Sequence, residues 1–188
     1  MRIIAGIAKG MTLHVPRDGV RPTSDRVREA IFSSLGDRVP NAQVLDLFAG
    51  TGGLGLEAAS RGAASVVFVE KARPSLISLE RNFATFRQGR EITIPLRVLR
   101  GDVFAQLASL AGGGFTLVFA DPPYGDAAQR LLDDPRLPAV LSANGVLVLE
   151  SASRDALVAS PGWQTLREAE YGDTRVSFFS RVSGSAHP

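Results

Sequence analysis

The spacing of apolar and polar residues divides the chain near residue 43. From Gln43 onward, short apolar runs alternate with stretches of helical periodicity. The runs at 44–48, 65–70, 94–100, 115–120 and 146–150 are apolar almost throughout. That is the pattern of strands buried on both faces. Between them, helices are predicted near 54–61, 74–87, 103–111, 126–132 and 137–141. Strands separated by helices imply a parallel sheet with helices on both faces. A short helix is predicted at 152–159. The runs 163–171 and 174–181 flank a tight turn at Gly172-Asp173, which predicts an antiparallel hairpin. Residues 183–188 are small and polar and are expected to form a flexible tail.

Before residue 43 the pattern is shorter. Residues 2–7 and 11–15 read as two strands around a turn at Lys9-Gly10, and 16–22 as a loop. Thr23 or Ser24 can then cap a helix that carries Val27, Ala30, Ile31 and Leu35 at helical spacing. Gly36 can end it. Arg26 and Arg28 are read as lying off that apolar stripe. The chain is thus expected to hold an N-terminal extension over 1–40 and a main domain over 41–182.

Composition narrows the function classes. A length of 188 residues fits one folded domain. No apolar run approaches the roughly 20 residues of a membrane helix. The first residues, Met1-Arg2-Ile3-Ile4-Ala5-Gly6, lack the apolar core of a signal peptide. A cytoplasmic location without membrane contact is expected. The chain has no cysteine and two histidines, His14 and His187, so no metal site is expected. Net charge is +2, but it is uneven. Residues 1–28 hold Arg2, Lys9, Arg17, Arg21, Arg26 and Arg28 against Asp18 and Asp25. A basic edge on a near-neutral domain suggests a polyanionic partner.

The chemistry gathers at the ends of the predicted strands. In open α/β sheets, ligands bind beyond the carboxyl ends of the strands. The first strand carries Asp46 and runs into Phe48-Ala49-Gly50-Thr51-Gly52-Gly53. Glycines there let the main chain approach a ligand closely. The second strand ends in Glu70, followed by Lys71, at the spacing where an acid accepts the two hydroxyls of a nucleotide ribose. The third ends at Asp102-Val103, where the acid can accept an adenine amino group and the Val103 amide can donate to the ring. The fourth ends in Asp121-Pro122-Pro123-Tyr124. Two prolines fix φ and remove amide donors. What remains is a rigid pair of acceptors, the Asp121 carboxylate and the Pro122 carbonyl, beside an aromatic ring. Such a pair can hold an exocyclic amine while a base stacks on Tyr124.

The glycine loop and the Asp-Pro-Pro-Tyr run together resemble S-adenosylmethionine-dependent methyltransferases that modify the exocyclic amines of nucleobases. Further runs narrow the resemblance. They are Arg2-Ile3-Ile4-Ala5-Gly6, Lys9-Gly10, Arg21-Pro22-Thr23-Ser24-Asp25-Arg26-Val27-Arg28-Glu29 and Glu70-Lys71. With them, nearly the whole chain is similar to the RsmD family. That resemblance implies an α/β, Rossmann-like, seven-stranded class I methyltransferase sheet with a small N-terminal hairpin and helix. It implies S-adenosyl-L-methionine as cofactor, with Asp46, the Phe48 to Gly53 loop, Glu70, Lys71, Asp102, Val103 and Asp121 around it. It implies Asp121, Pro122, Pro123 and Tyr124 as the catalytic group. The substrate implied is N2 of one guanine in 16S rRNA, in the small ribosomal subunit or its assembly intermediate. Lys9, Arg21, Thr23, Arg26 and Arg28 are then the candidate RNA contacts, and the protein is expected to act as a monomer.

Four other readings stay open on the residues alone. An adenine-N6 methyltransferase shares the Asp-Pro-Pro-Tyr chemistry. A glutamine methyltransferase of release factors has a related motif that usually starts with Asn, unlike Asp121. A non-catalytic RNA-binding module could keep the fold, although Asp46, Glu70 and Asp121 are intact. A dehydrogenase fits least, because no tyrosine–lysine or histidine pair suits hydride transfer.

Overall fold

The structure, a computed structural model, describes residues 1–16, 23–88 and 92–182. Arg21, residues 17–22 of the expected loop and the expected tail at 183–188 lie outside the described residues. One seven-stranded sheet organises the rest. Its strands are β1 (Gln43–Leu47), β2 (Ser65–Glu70), β3 (Leu96–Arg100), β4 (Phe115–Ala120), β5 (Leu141–Ala152), β6 (Trp163–Tyr171) and β7 (Thr174–Arg181), in the order β3-β2-β1-β4-β5-β7-β6. The first five are mutually parallel. β7 runs antiparallel to both β5 and β6, and the turn between β6 and β7 falls where the sequence places it. The helices are α1 (Asp25–Leu35), α2 (Gly53–Ser60), α3 (Arg73–Arg87), α4 (Val103–Leu110) and α5 (Ala127–Asp133).

The period of two along each strand sends alternate side chains to opposite faces. Val44, Val66, Phe68, Leu117, Phe119, Val146 and Val148 pack on one face with Ile31, Phe32, Leu56 and Leu79. Leu45, Leu47, Val69, Val118, Leu147 and Leu149 pack on the other with Leu107, Leu131 and Leu132. The same period places Asp46, Glu70, Asp121 and Glu150 at the strand ends on the face shared with α1. Strand order reverses between β1 and β4, so the crevice beyond their carboxyl ends is where a ligand is expected.

The N-terminal segment belongs to the same core. Ile3, Ala8, Met11 and Leu13 are buried with the sheet residues of the first face. The Glu57 carboxylate of α2 accepts the amides of Ile4 at 2.7 Å and Ala5 at 3.1 Å. Asn82 of α3 accepts the His14 amide at 2.7 Å and donates to the carbonyl of Thr51, in the glycine loop, at 2.9 Å.

Several elements differ from the sequence expectation. Residues 2–7 and 11–15 are not strands; a single antiparallel bridge joins Arg2 to Thr12. Gly6 and Gly10 adopt left-handed φ values of 83° and 84°, which turns the chain before a ladder can extend. β3 starts at Leu96 rather than residue 94, because Pro95 has no amide to give a ladder. Residues 137–140 form one 3-10 turn, and Leu141 opens β5, which is longer than the predicted run. No helix forms at 152–159. The Arg175 guanidinium takes the carbonyls of Ser153 and Asp155, so this stretch spends its acceptors on the hairpin rather than on itself. Arg28 does not lie on the solvent side of α1; it is fully buried.

Candidate active site

β1 delivers Asp46 to the crevice and then breaks. Phe48 takes φ 57°, a strained value for a bulky residue, at the edge of the loop. Gly52 takes φ 85°, and a Cβ there would stand 2.4 Å from Leu79 Cδ1. The loop therefore tolerates no side chain at that point. Asp46 is buried, and its Oδ2 accepts the Gly55 amide at 2.9 Å in the first turn of α2. A carboxylate there faces the positive end of the helix. Burial still pushes its carboxyl up to about 7, with Asp121 and Glu70 adding to the rise.

β2 delivers Glu70. Its Oε2 accepts the Gly50 amide at 2.7 Å, and its Oε1 accepts Lys71 N–H at 2.8 Å and Ala72 N–H at 2.7 Å. Glu70 thus ties the glycine loop to the strand end. β3 ends at Gly101, and Asp102 caps α4 by accepting the Phe104 amide at 3.0 Å. Asp102 also receives Lys71 Nζ at 2.9 Å, which holds its carboxyl below the usual range.

β4 delivers Asp121 and the prolines. The Thr23 hydroxyl, just before α1, lies 3.1 Å from Asp121 Oδ2 and 3.1 Å from Glu150 Oε1 at the end of β5. Burial pushes the Asp121 carboxyl up to about 6, opposed by the Thr23 hydrogen bond. Burial raises Glu150 well above the usual carboxylate range, and the Asp121 charge adds to it.

These groups surround one cavity of about 470 Å³. Among the expected cofactor residues, Asp46, Phe48, Ala49, Gly50, Thr51, Gly53, Glu70, Lys71, Val103 and Asp121 line it. Gly52 lies beneath the loop against Leu79, and Asp102 stands outside the lining, with Gly101 and Val103 facing in on either side. Pro122, Pro123 and Tyr124 line the same cavity, and Tyr124 is 61% exposed at its mouth. The glycine loop and the Asp-Pro-Pro-Tyr run therefore meet in space.

The expected RNA residues separate. Thr23 and Arg28 line the cavity; Lys9 and Arg26 are exposed outside it. Arg28 is 0% exposed. Its Nη2 donates to Asp25 Oδ1 at 2.7 Å and to the Arg2 carbonyl at 2.5 Å. Its Nε and Nη1 have no partner among the described residues, and a Cβ on Gly53 would stand 3.8 Å from Nη1. A buried guanidinium with two idle nitrogens beside the glycine loop can pair with a carboxylate. Glu150 was not foreseen as a site residue, although the predicted run 146–150 also ends on an acid. Met1 and Ser75, which line the cavity, carry no sequence signal for it.

Among the described residues, no group of three or more His, Cys, Asp or Glu side chains could hold a metal ion. No helix among them is long and apolar enough to cross a membrane.

Comparison with known proteins points to one family. Residues 1–180 match the family described as Conserved hypothetical protein 95. The chain is 35% identical over 187 residues to the ribosomal RNA small subunit methyltransferase D of Escherichia coli, covering 96% of this chain and 90% of that one. It is 32% identical over 177 residues to the protein of the same name in Haemophilus influenzae, covering 92% and 89%. A solved structure from Escherichia coli superposes with a TM-score of 0.78 at 35% identity, covering 98% of this chain and 99% of that one. The chain belongs to the RsmD family, whose members include ribosomal RNA small subunit methyltransferase D.

Proposed function

We propose that this protein transfers a methyl group from S-adenosylmethionine to N2 of a single guanine in the 16S rRNA of the small ribosomal subunit. One observation carries the reading: the glycine loop and the Asp121-Pro122-Pro123-Tyr124 run line the same cavity, so a donor and an amine acceptor can meet there.

The residues present fit the donor. The idle Nε and Nη1 of Arg28 suit its carboxylate, and the main chain of the glycine loop suits the rest of its methionine part. Glu70, 9% exposed, keeps one Oε2 lone pair for a ribose hydroxyl beyond those taken by three amides. Gly101 and Val103 line the part of the cavity that would take the adenine, with Asp102 between them holding Lys71 and capping α4. When bound, S-adenosylmethionine supplies a methyl group made electrophilic by a sulfonium.

The chain's own residues do the rest. The Asp121 carboxylate and the Pro122 carbonyl accept the two N–H groups of the exocyclic amine. That orients its lone pair and favours a tetrahedral nitrogen. Positioning and preorganised acceptors supply the acceleration. Tyr124 offers a ring face to a base taken out of its stack. Arg26 and Lys9, both exposed, can contact phosphates, while buried Arg28 cannot.

The substrate is the small subunit or an assembly intermediate, and the protein works in the cytoplasm as a monomer. A base in an RNA loop held by ribosomal proteins is already unstacked and cheap to extract. The test compares assembled small subunits, the same RNA stripped of protein, and duplex DNA, at matched target concentration. The particle is expected to accept methyl groups fastest and the DNA not at all. Equal rates on all three would contradict the proposal.

A further inference from the structure

Behind the Asp121-Pro122-Pro123-Tyr124 turn lies a second cavity, of about 240 Å³. It shares Thr23, Asp121, Pro122 and Tyr124 with the donor cavity, so the two meet at the catalytic turn. Glu150 and Tyr171 complete the far wall. The volume is below the roughly 300–1,000 Å³ of sites for drug-sized ligands, and it suits one flat base. Tyr124 and Tyr171 bring two aromatic side chains to the lining. No Lys, Arg or His among the described residues lines this cavity, so it is not built for phosphate.

Its polar wall holds the carboxylates of Asp121, Glu150 and Asp173 among hydroxyls, including that of Ser151. The Thr23 hydroxyl has one proton, yet it stands between two carboxylates, Asp121 Oδ2 and Glu150 Oε1. The other oxygens, Asp121 Oδ1 and Glu150 Oε2, have no hydrogen-bond partner among the described residues. Glu150 is 4% exposed. Neither idle oxygen is sealed off, so both are acceptors open to a donor in the cavity.

The nucleobases differ at the place that matters. Adenine and cytosine each carry an exocyclic amine beside a bare ring nitrogen. Guanine alone carries its amine beside a ring N–H. Once ionised, a carboxylate next to the amine site attracts guanine and opposes the lone pair of the other two; the donated N1–H favours that ionised form against the burial that raises Glu150.

We infer that the second cavity receives the target base, and that Glu150 selects guanine by accepting its N1–H beside the amine held by Asp121. This rests on the methyltransferase reading above and extends it to a residue and a contact. Glu150 is a specificity residue; Asp121 remains the group at the reacting nitrogen.

The test uses small subunits reconstituted with RNA carrying, at the nucleotide the wild-type enzyme methylates, either guanine or 2,6-diaminopurine. The analogue keeps the N2 amine but has a bare N1. Wild type is expected to favour guanine in kcat/KM by at least ~10-fold, as a site built around a substrate N–H rejects an analogue lacking it. Glu150→Gln can turn an amide N–H toward the bare N1, so the ratio is expected to fall to within about threefold, with donor affinity measured by calorimetry unchanged. A wild type that accepts both bases equally overturns the inference without any substitution. So does a Glu150→Gln variant that keeps the wild-type preference. Absence of transfer to either RNA by wild type would instead overturn the methyltransferase reading itself.

Discussion

The Gly50 amide donates to Glu70 Oε2 at 2.7 Å, so the glycine loop and the end of β2 form one unit. Glu70 shapes the loop, and the proposed function gives it a second task, accepting from the ribose. Glu70→Ala is expected to weaken S-adenosylmethionine binding by roughly 1.5–3 kcal/mol, the range for hydrogen bonds to a charged group. It is also expected to lower the melting temperature, because three amides lose their acceptor. Calorimetry with unchanged donor affinity would remove Glu70 from the donor site.

Arg28 gives a chemical test that needs no RNA. Its idle Nε and Nη1 are assigned to the donor carboxylate. Decarboxylated S-adenosylmethionine keeps every other group. Wild type is expected to bind it at least ~10-fold more weakly than the intact donor, given about 1.5–3 kcal/mol for a charged hydrogen bond. Arg28→Met is expected to bind the two about equally. If the variant still prefers the intact donor as wild type does, the carboxylate is held elsewhere.

Asp121 is expected to matter to transfer more than to donor binding. Asp121→Ala should leave donor affinity within about threefold and cut single-turnover rates by at least ~100-fold, as for loss of one preorganised group. The ionised carboxylate is the acceptor, and burial holds its pKa up to about 6. Transfer should therefore rise with pH through about 6 and then level off. Stability moves the other way. The folded state keeps the proton where the unfolded state, with its ordinary value near 3.8, has lost it. Between those two values the folded state binds more protons, so this group's contribution falls as pH rises. Chemical denaturation of Asp121→Asn should accordingly gain on wild type between about pH 4 and 6. A constant difference across that window would show that Asp121 titrates normally.

The outer face of α1 is the proposed RNA edge. Arg26 is exposed there, while Arg28 is turned inward. Arg26→Ala is expected to reduce the slope of log K against log salt by about one unit, as for loss of a single phosphate contact. An unaltered slope would make Arg26 an ordinary solvated side chain.

Much of this was legible in the sequence. Apolar runs and their spacing gave the five parallel strands and the final hairpin, because burial on both faces leaves an unbroken signature. Strand ends gave Asp46, Glu70 and Asp121, because an open α/β sheet puts its chemistry there. Arg28 was legible too, but misread. With Ile31, Phe32 and Leu35 it falls at helical spacing along the buried face of α1. Its charge argued for solvent, but its apolar-stripe position decides, and it is buried with two idle nitrogens. Glu150 closes the fifth parallel run as the other acids close theirs, and counting four strand ends missed it. The N-terminal strands failed for a local reason. Two left-handed glycines and the contacts with Glu57 and Ser60 replace a ladder, and alternation alone cannot see them.

The most direct measurement is methyl transfer from labelled S-adenosylmethionine into small ribosomal subunits that lack the modification, followed by digestion to nucleosides. The account predicts that the label enters 16S rRNA at one site and is recovered as N2-methylguanosine. Label recovered as N6-methyladenosine, or no transfer by a protein that binds the donor, would contradict it.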